Sequence, residues 1–67
     1  MTKIDIINKI FDAIDTDDLQ NIAFHAEADL SSEGVGNLKN ILNMMLREDI
    51  KSLEKRNNIK HFLCFLN

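Results

Sequence analysis

The sequence predicts an all-α domain: a small antiparallel helical bundle of three helices plus a short C-terminal helix. Three observations carry that prediction. Apolar side chains recur at three- and four-residue steps in each long segment, which is the period of one helix face. Proline is absent and glycine occurs only at Gly34 and Gly36, so the residues that punctuate strands and hairpins are missing. The 67 residues make one domain, 1–67, and a hydrophobic fraction of 45% is that of a globular protein even with 28% charged residues.

The first helix is expected over about residues 3–14. Thr2 followed three residues later by Asp5 is a capping-box start. Ile4, Ile7, Ile10, Phe11 and Ile14 share one face at about 100° per residue, with Asp5, Lys9 and Asp12 opposite. The second helix is expected over about 16–30, opened by Asp15-Thr16-Asp17-Asp18. Aspartates there cap free N–H groups and favour the positive end of the helix dipole. A calcium loop is excluded, because the sixth and twelfth positions counted from Asp15 are Gln20 and Ala26 instead of glycine and glutamate. Leu19, Ile22, Ala23, Ala26 and Leu30 form the inner face, and Phe24 falls about 140° from Leu19, outside it.

Ser31-Ser32-Glu33-Gly34-Val35-Gly36-Asn37 reads as the one clear loop. Its glycine spacing fits neither a Walker loop nor a dinucleotide fingerprint, and Glu33 opposes phosphate. The third helix is expected over about 37–55, with Leu38, Ile41, Leu42, Met45, Leu46, Ile50 and Leu53 inward. Asp49 falls in the middle of that face, where a lone carboxylate is costly. A break near Arg47-Glu48-Asp49 is therefore expected, with Asp49 capping a new turn. Arg56-Asn57-Asn58 reads as an interruption, and Asn58 as the cap of a final helix over about 58–66. There Ile59, Phe62, Leu63 and Leu66 share a face, with Phe65 beside it.

Charge is divided along the chain. Residues 1–36 hold two lysines and eight acids, a net of −6, and residues 37–67 hold six basic residues and three acids, a net of +3. Opposite halves that pack together partly cancel their fields. They also offer an acidic face to a basic partner or a basic face to phosphates.

No catalytic constellation emerges, and the chain is read as no enzyme and as needing no cofactor or metal. His61 and Cys64 lie three apart, but two ligands do not make a zinc site. Cys64 is expected to be a small buried hydrophobe. His25, Glu27 and Asp29 diverge on a helix, since residues two apart do not face each other. A single cysteine gains nothing from an oxidising compartment, which points to the cytoplasm. No apolar run approaches the ~20 residues of a membrane span, so no membrane partner is expected.

Function is therefore expected to reside in surfaces. Phe24, Met44 and Phe65 lie outside the inner faces, and Asn40, Asn43 and Arg47 form a polar row beside Met44 on the third helix. These six residues are the candidate partner-binding positions. The small core and the surplus apolar residues point to protein–protein binding, including a homodimer. Richness in Asn, Ile and Lys resembles an AT-rich genome, such as a low-GC bacterium or its phage. That favours a small viral or mobile-element regulator, an inhibitor that blocks a host protein. The alternative is a nucleic-acid-associated regulator using the basic half, Lys39 to Lys60, with arginine and asparagine able to read base edges.

Overall fold

Each helix of this protein is set by a side chain that captures its first free N–H groups. The computed structural model describes residues 1–66. Among them are four helices and no strand: α1 Lys3–Asp12, α2 Thr16–Asp29, α3 Ser32–Arg47 and α4 Leu53–Leu66. The all-α expectation holds, while the third and fourth helices start well before their expected positions.

Thr2 caps α1 as the sequence indicates. The Asp5 N–H donates to Thr2 Oγ1 at 3.3 Å, and the Thr2 N–H donates to Asp5 Oδ2 at 3.2 Å. The Thr2 backbone N–H, helped by the Thr2 hydroxyl, holds the Asp5 carboxyl below the usual carboxylate range. Asp15 and Asp18 do the same for α2. The Asp18 N–H donates to Asp15 Oδ1 at 2.9 Å, and Asp18 Oδ2 accepts the Ile14 N–H at 3.2 Å. These carboxylates are spent on backbone N–H groups.

The expected loop at Ser31–Asn37 is instead helical from Ser32 onward. Ser31 is an N-cap whose Oγ accepts the Gly34 N–H at 3.2 Å, and Glu33 occupies the acid-favouring first turn. Neither glycine has a positive φ, so neither serves a turn. Gly34 is needed for space, because a Cβ there would lie 3.2 Å from Leu30 Cβ across the tight α2–α3 corner. A Cβ at Gly36 meets nothing within 4 Å. Gly36→Ala is therefore expected to stabilise the fold by about 0.5–1 kcal/mol through helix propensity. Gly34→Ala is expected to gain less or to destabilise. Paired urea denaturation curves check this, and equal gains at both positions would refute the packing role of Gly34.

The break expected near Arg47-Glu48-Asp49 is present. The helix ends at Arg47, and Arg56 Nη1 donates to the Glu48 carbonyl at 3.3 Å, which satisfies a carbonyl at the end of α3. The new helix is capped by Ser52, whose Oγ accepts the Lys55 N–H at 3.3 Å, and Asp49 is not the cap. Arg56-Asn57-Asn58 does not interrupt anything, since it lies within α4. Asn58 acts across the fold: its Nδ2 donates to the carbonyls of Ile10 at 3.1 Å and Ala13 at 3.3 Å, closing the C-terminal end of α1.

The core draws on all four helices. On α2 it is Leu19, Ala23 and Ala26, on α3 Leu38 and Leu42, and on α4 Ile59, Phe62, Leu63 and Leu66. On α1 the buried stripe is Ile6 and Ile10, continued by Ala13 just past the helix, with Ile7 and Phe11 half-buried beside it. This corrects the expected face, since Ile4 and Ile14 are exposed. Ile4 sits about 160° from Ile6 on the helix, and Ile14 lies beyond the helix end, where the helical period no longer applies. Cys64 is also exposed, against expectation, because it lies about 160° around α4 from Phe62. The Lys55 ammonium sits 5.2 Å from the Phe11 ring centroid and shields that half-buried ring. The Cα radius of gyration is 10.8 Å, as expected for a packed chain of this length. α4 packs on all three other helices, most extensively on α2.

Candidate functional site

Two helix stripes run side by side along one edge of the α2–α4 packing. On α2 the stripe is Thr16, Gln20, Ala23 and Glu27, stepping by four, three and four residues. On α4 it is Glu54, Asn57 or Asn58, His61 and Phe65, at the same kind of step. Residues three and four apart occupy one face of a helix, so each stripe is continuous and the two face a shared seam.

A hollow lies at each end of the seam. At one end Phe24 and Phe65 line a hollow of about 180 Å³, together with Gln20, Ala23 and Glu27. Phe24 is 69% exposed and Phe65 39% exposed. The Phe24 ring is held edge-on to His25, with centroids 5.8 Å apart and an interplanar angle of 79°. At the other end a hollow of about 540 Å³ is walled by Ile14 and Leu53, with the buried Leu19 also lining it. Ile14 is 89% and Leu53 72% exposed, and the two come together in this hollow from either side of Leu19.

The seam is acidic. Asp15 and Glu54 line one hollow and Glu27 the other, and none of the chain's eight lysines and arginines lines either. α2 as a whole carries Asp17, Asp18, Glu27 and Asp29 with no basic residue but His25. The basic half of the chain does not neutralise it by pairing. Among the described residues the single ion pair joins the Met1 ammonium to Asp29 Oδ2 at 3.5 Å.

Of the six sequence candidates, the structure brings Phe24 and Phe65 together around one hollow and places the other four apart from it on α3. Met44 is 60% exposed there, and Asn40, Asn43 and Arg47 are exposed around it. Asn43 Nδ2 donates to the Lys39 carbonyl at 3.0 Å, which ties that amide to its own helix. Ile14 and Leu53 were missed, because periodicity alone assigned both to inner faces. The signals for them were available: Ile14 directly precedes the Asp15 cap, and Leu53 directly follows Ser52, a good capping residue.

No group of three or more His, Cys, Asp or Glu among the described residues is placed to hold a metal. Among the same residues no helix is long and apolar enough to cross a membrane. Comparison of the chain with protein families, curated proteins and solved structures finds no match.

Proposed function

We propose that this chain is a small regulatory protein that acts by helix-mediated binding of another protein, and that the α2–α4 seam is its binding surface. One observation carries the reading: Phe24 and Phe65, from different helices, stand exposed around one hollow, although the fold has an interior able to bury aromatic rings. Exposed aromatics in a shallow hollow are the usual anchors of protein interfaces. An inhibitor of a host protein, encoded by a phage or mobile element and working in the cytoplasm, is the form of that function best supported by the small size and the Asn-, Ile- and Lys-rich composition. In this reading α1 runs antiparallel to α2 and to α4, supported by Met1 meeting Asp29 and by Asn58 meeting the end of α1, while α2 and α4 run alongside each other in the same direction. A homodimer, in this reading, uses the separate α3 face around Met44.

The test is Phe24→Ala. The variant should keep its circular dichroism spectrum and lose no more than about 0.5 kcal/mol of stability, as is usual for a surface position. It should also lose the proteins that the parent retains from a low-GC bacterial lysate. Unfolding on this substitution, or identical retention by both proteins, would reject the seam.

A second reading, nucleic-acid association through Lys39 to Lys60, draws support from basic side chains that form no ion pair among the described residues. It predicts binding to duplex DNA or to RNA at low salt, falling steeply as salt rises. Flat anisotropy at low salt would dispose of it. Two of its residues already serve the fold, Lys55 over Phe11 and Arg56 on Glu48.

A further inference from the structure

We infer that the partner of the α2–α4 seam is a cationic amphipathic helix, one that presents two apolar side chains about seven residues apart with lysine or arginine beside them. The inference rests on the reading of the seam as a protein-binding surface and adds the chemistry of what binds.

The spacing comes from the seam itself. Thr16 and Ala23 mark its two hollows on α2 and are seven residues apart. At 1.5 Å per residue the hollows are about 10 Å apart, two turns of a helix lying along the seam. A helix laid in an apolar groove uses such anchors. The hollow between Phe24 and Phe65, about 180 Å³, is below the ~300 Å³ at which small-molecule pockets begin, and suits a single side chain.

The charge comes from the lining. Asp15, Glu54 and Glu27 are spread over both ends and no lysine or arginine lines either hollow, although Glu27 also borders a separate α2–α3 hollow that Lys39 lines. A phosphate backbone is repelled there. A second copy of the chain is disfavoured as well, since a two-fold contact sets these carboxylates against their own symmetry mates, and a head-to-tail contact does not close. Lysine or arginine on a partner helix meets the Glu54 and Glu27 carboxylates beside its apolar anchors, while Asp15, whose Oδ1 caps α2, adds only its charge.

The experiment uses the full chain and two synthetic helical peptides, identical in two leucines seven residues apart and differing only in whether lysine or glutamate flanks them. Fluorescence anisotropy should show the lysine peptide binding at least ~tenfold more tightly than the glutamate peptide, with the difference shrinking as salt rises. Glu27→Lys combined with Glu54→Lys should reverse the preference, and Phe24→Ala should weaken both peptides. Moving the second leucine by two residues turns it about 200° to the far side of the peptide and should remove binding. Equal or tighter binding of the glutamate peptide, with Phe24→Ala still weakening it, overturns the cationic partner but leaves the seam as a protein-binding surface. A parent dimer in sedimentation that Phe24→Ala dissociates makes the occupant a second copy and also overturns the inference. Absence of binding by either peptide to a monomeric parent overturns the inference. If Phe24→Ala in addition changes nothing that the parent retains from lysate, the seam itself falls.

Discussion

Phe62→Ala is expected to cost about 3–5 kcal/mol, a large share of the stability of a chain this size. Phe62 is the largest side chain fully buried in the core, and it sits on α4, the helix that packs on every other. Truncating such a ring loses its transfer free energy and leaves a cavity that rigid neighbours refill poorly. At ~0.05–0.15 kcal/mol per residue, a chain of this size has a total stability of only about 3–10 kcal/mol. One side chain therefore holds a third or more of it. Urea denaturation followed by circular dichroism is the measurement. Phe24 gives the contrast, since the same ring removed from the exposed side of α2 should hardly move the midpoint. A cost below about 1.5 kcal/mol for Phe62→Ala would mean that the four helices do not depend on a common core.

The same two phenylalanines show how far the sequence alone could be read. Phe62 was legible as core because Ile59, Leu63 and Leu66 surround it at helical spacing, and Phe24 was legible as an outsider because Leu19, Ala23 and Ala26 define the other side of α2. Periodicity is local, and it served well wherever a helix's own period settled which side faces in. It failed where capping or a neighbouring helix decides. Ser31-Ser32-Glu33-Gly34 has the composition of a loop, yet the Ser31 cap and the room that Gly34 leaves for Leu30 make it the first turn of α3. Ile14 continues the spacing of α1 arithmetically, but the helix has already ended at Asp12, so the side chain stands in solvent. Half of the seam was hidden for that reason: Phe24 and Phe65 were visible as misfits, while Ile14 and Leu53 looked like ordinary core. That α2 and α4 lie side by side, which turns four separate exposures into one surface, is a long-range fact that no local pattern carries.

Asn58 is the sharpest case of a role that only the folded chain shows, and Asn58→Asp is expected to destabilise by about 1.3–4 kcal/mol at pH 7. The half-buried amide donates to two carbonyls at the end of α1, those of Ile10 and Ala13. Alanine removes the donor, which deprives the Ala13 carbonyl of it and leaves the Ile10 carbonyl only the 3.4 Å bond from the Ala13 N–H, a cost of about 1–3 kcal/mol. Aspartate adds a negative charge facing two carbonyl oxygens at the negative end of the α1 dipole, worth a further ~0.3–1 kcal/mol. The order of stability should therefore be Asn, then Ala, then Asp, although asparagine and aspartate are nearly the same size. Acid supplies a second readout. The introduced carboxyl is disfavoured as an anion in the folded state, so its folded pKa lies above its unfolded value of ~3.9. The folded state then binds the proton more tightly, and the variant should recover stability relative to the parent as pH falls through that raised value towards 4. Once protonated, the carboxyl can donate to one of the two carbonyls, which alanine can never do. Parallel denaturation series of the three proteins at pH 7 and near pH 4 decide the matter. If Asn58→Asp equals Asn58→Ala at both pH values, the side chain of residue 58 does not bridge α4 to the end of α1.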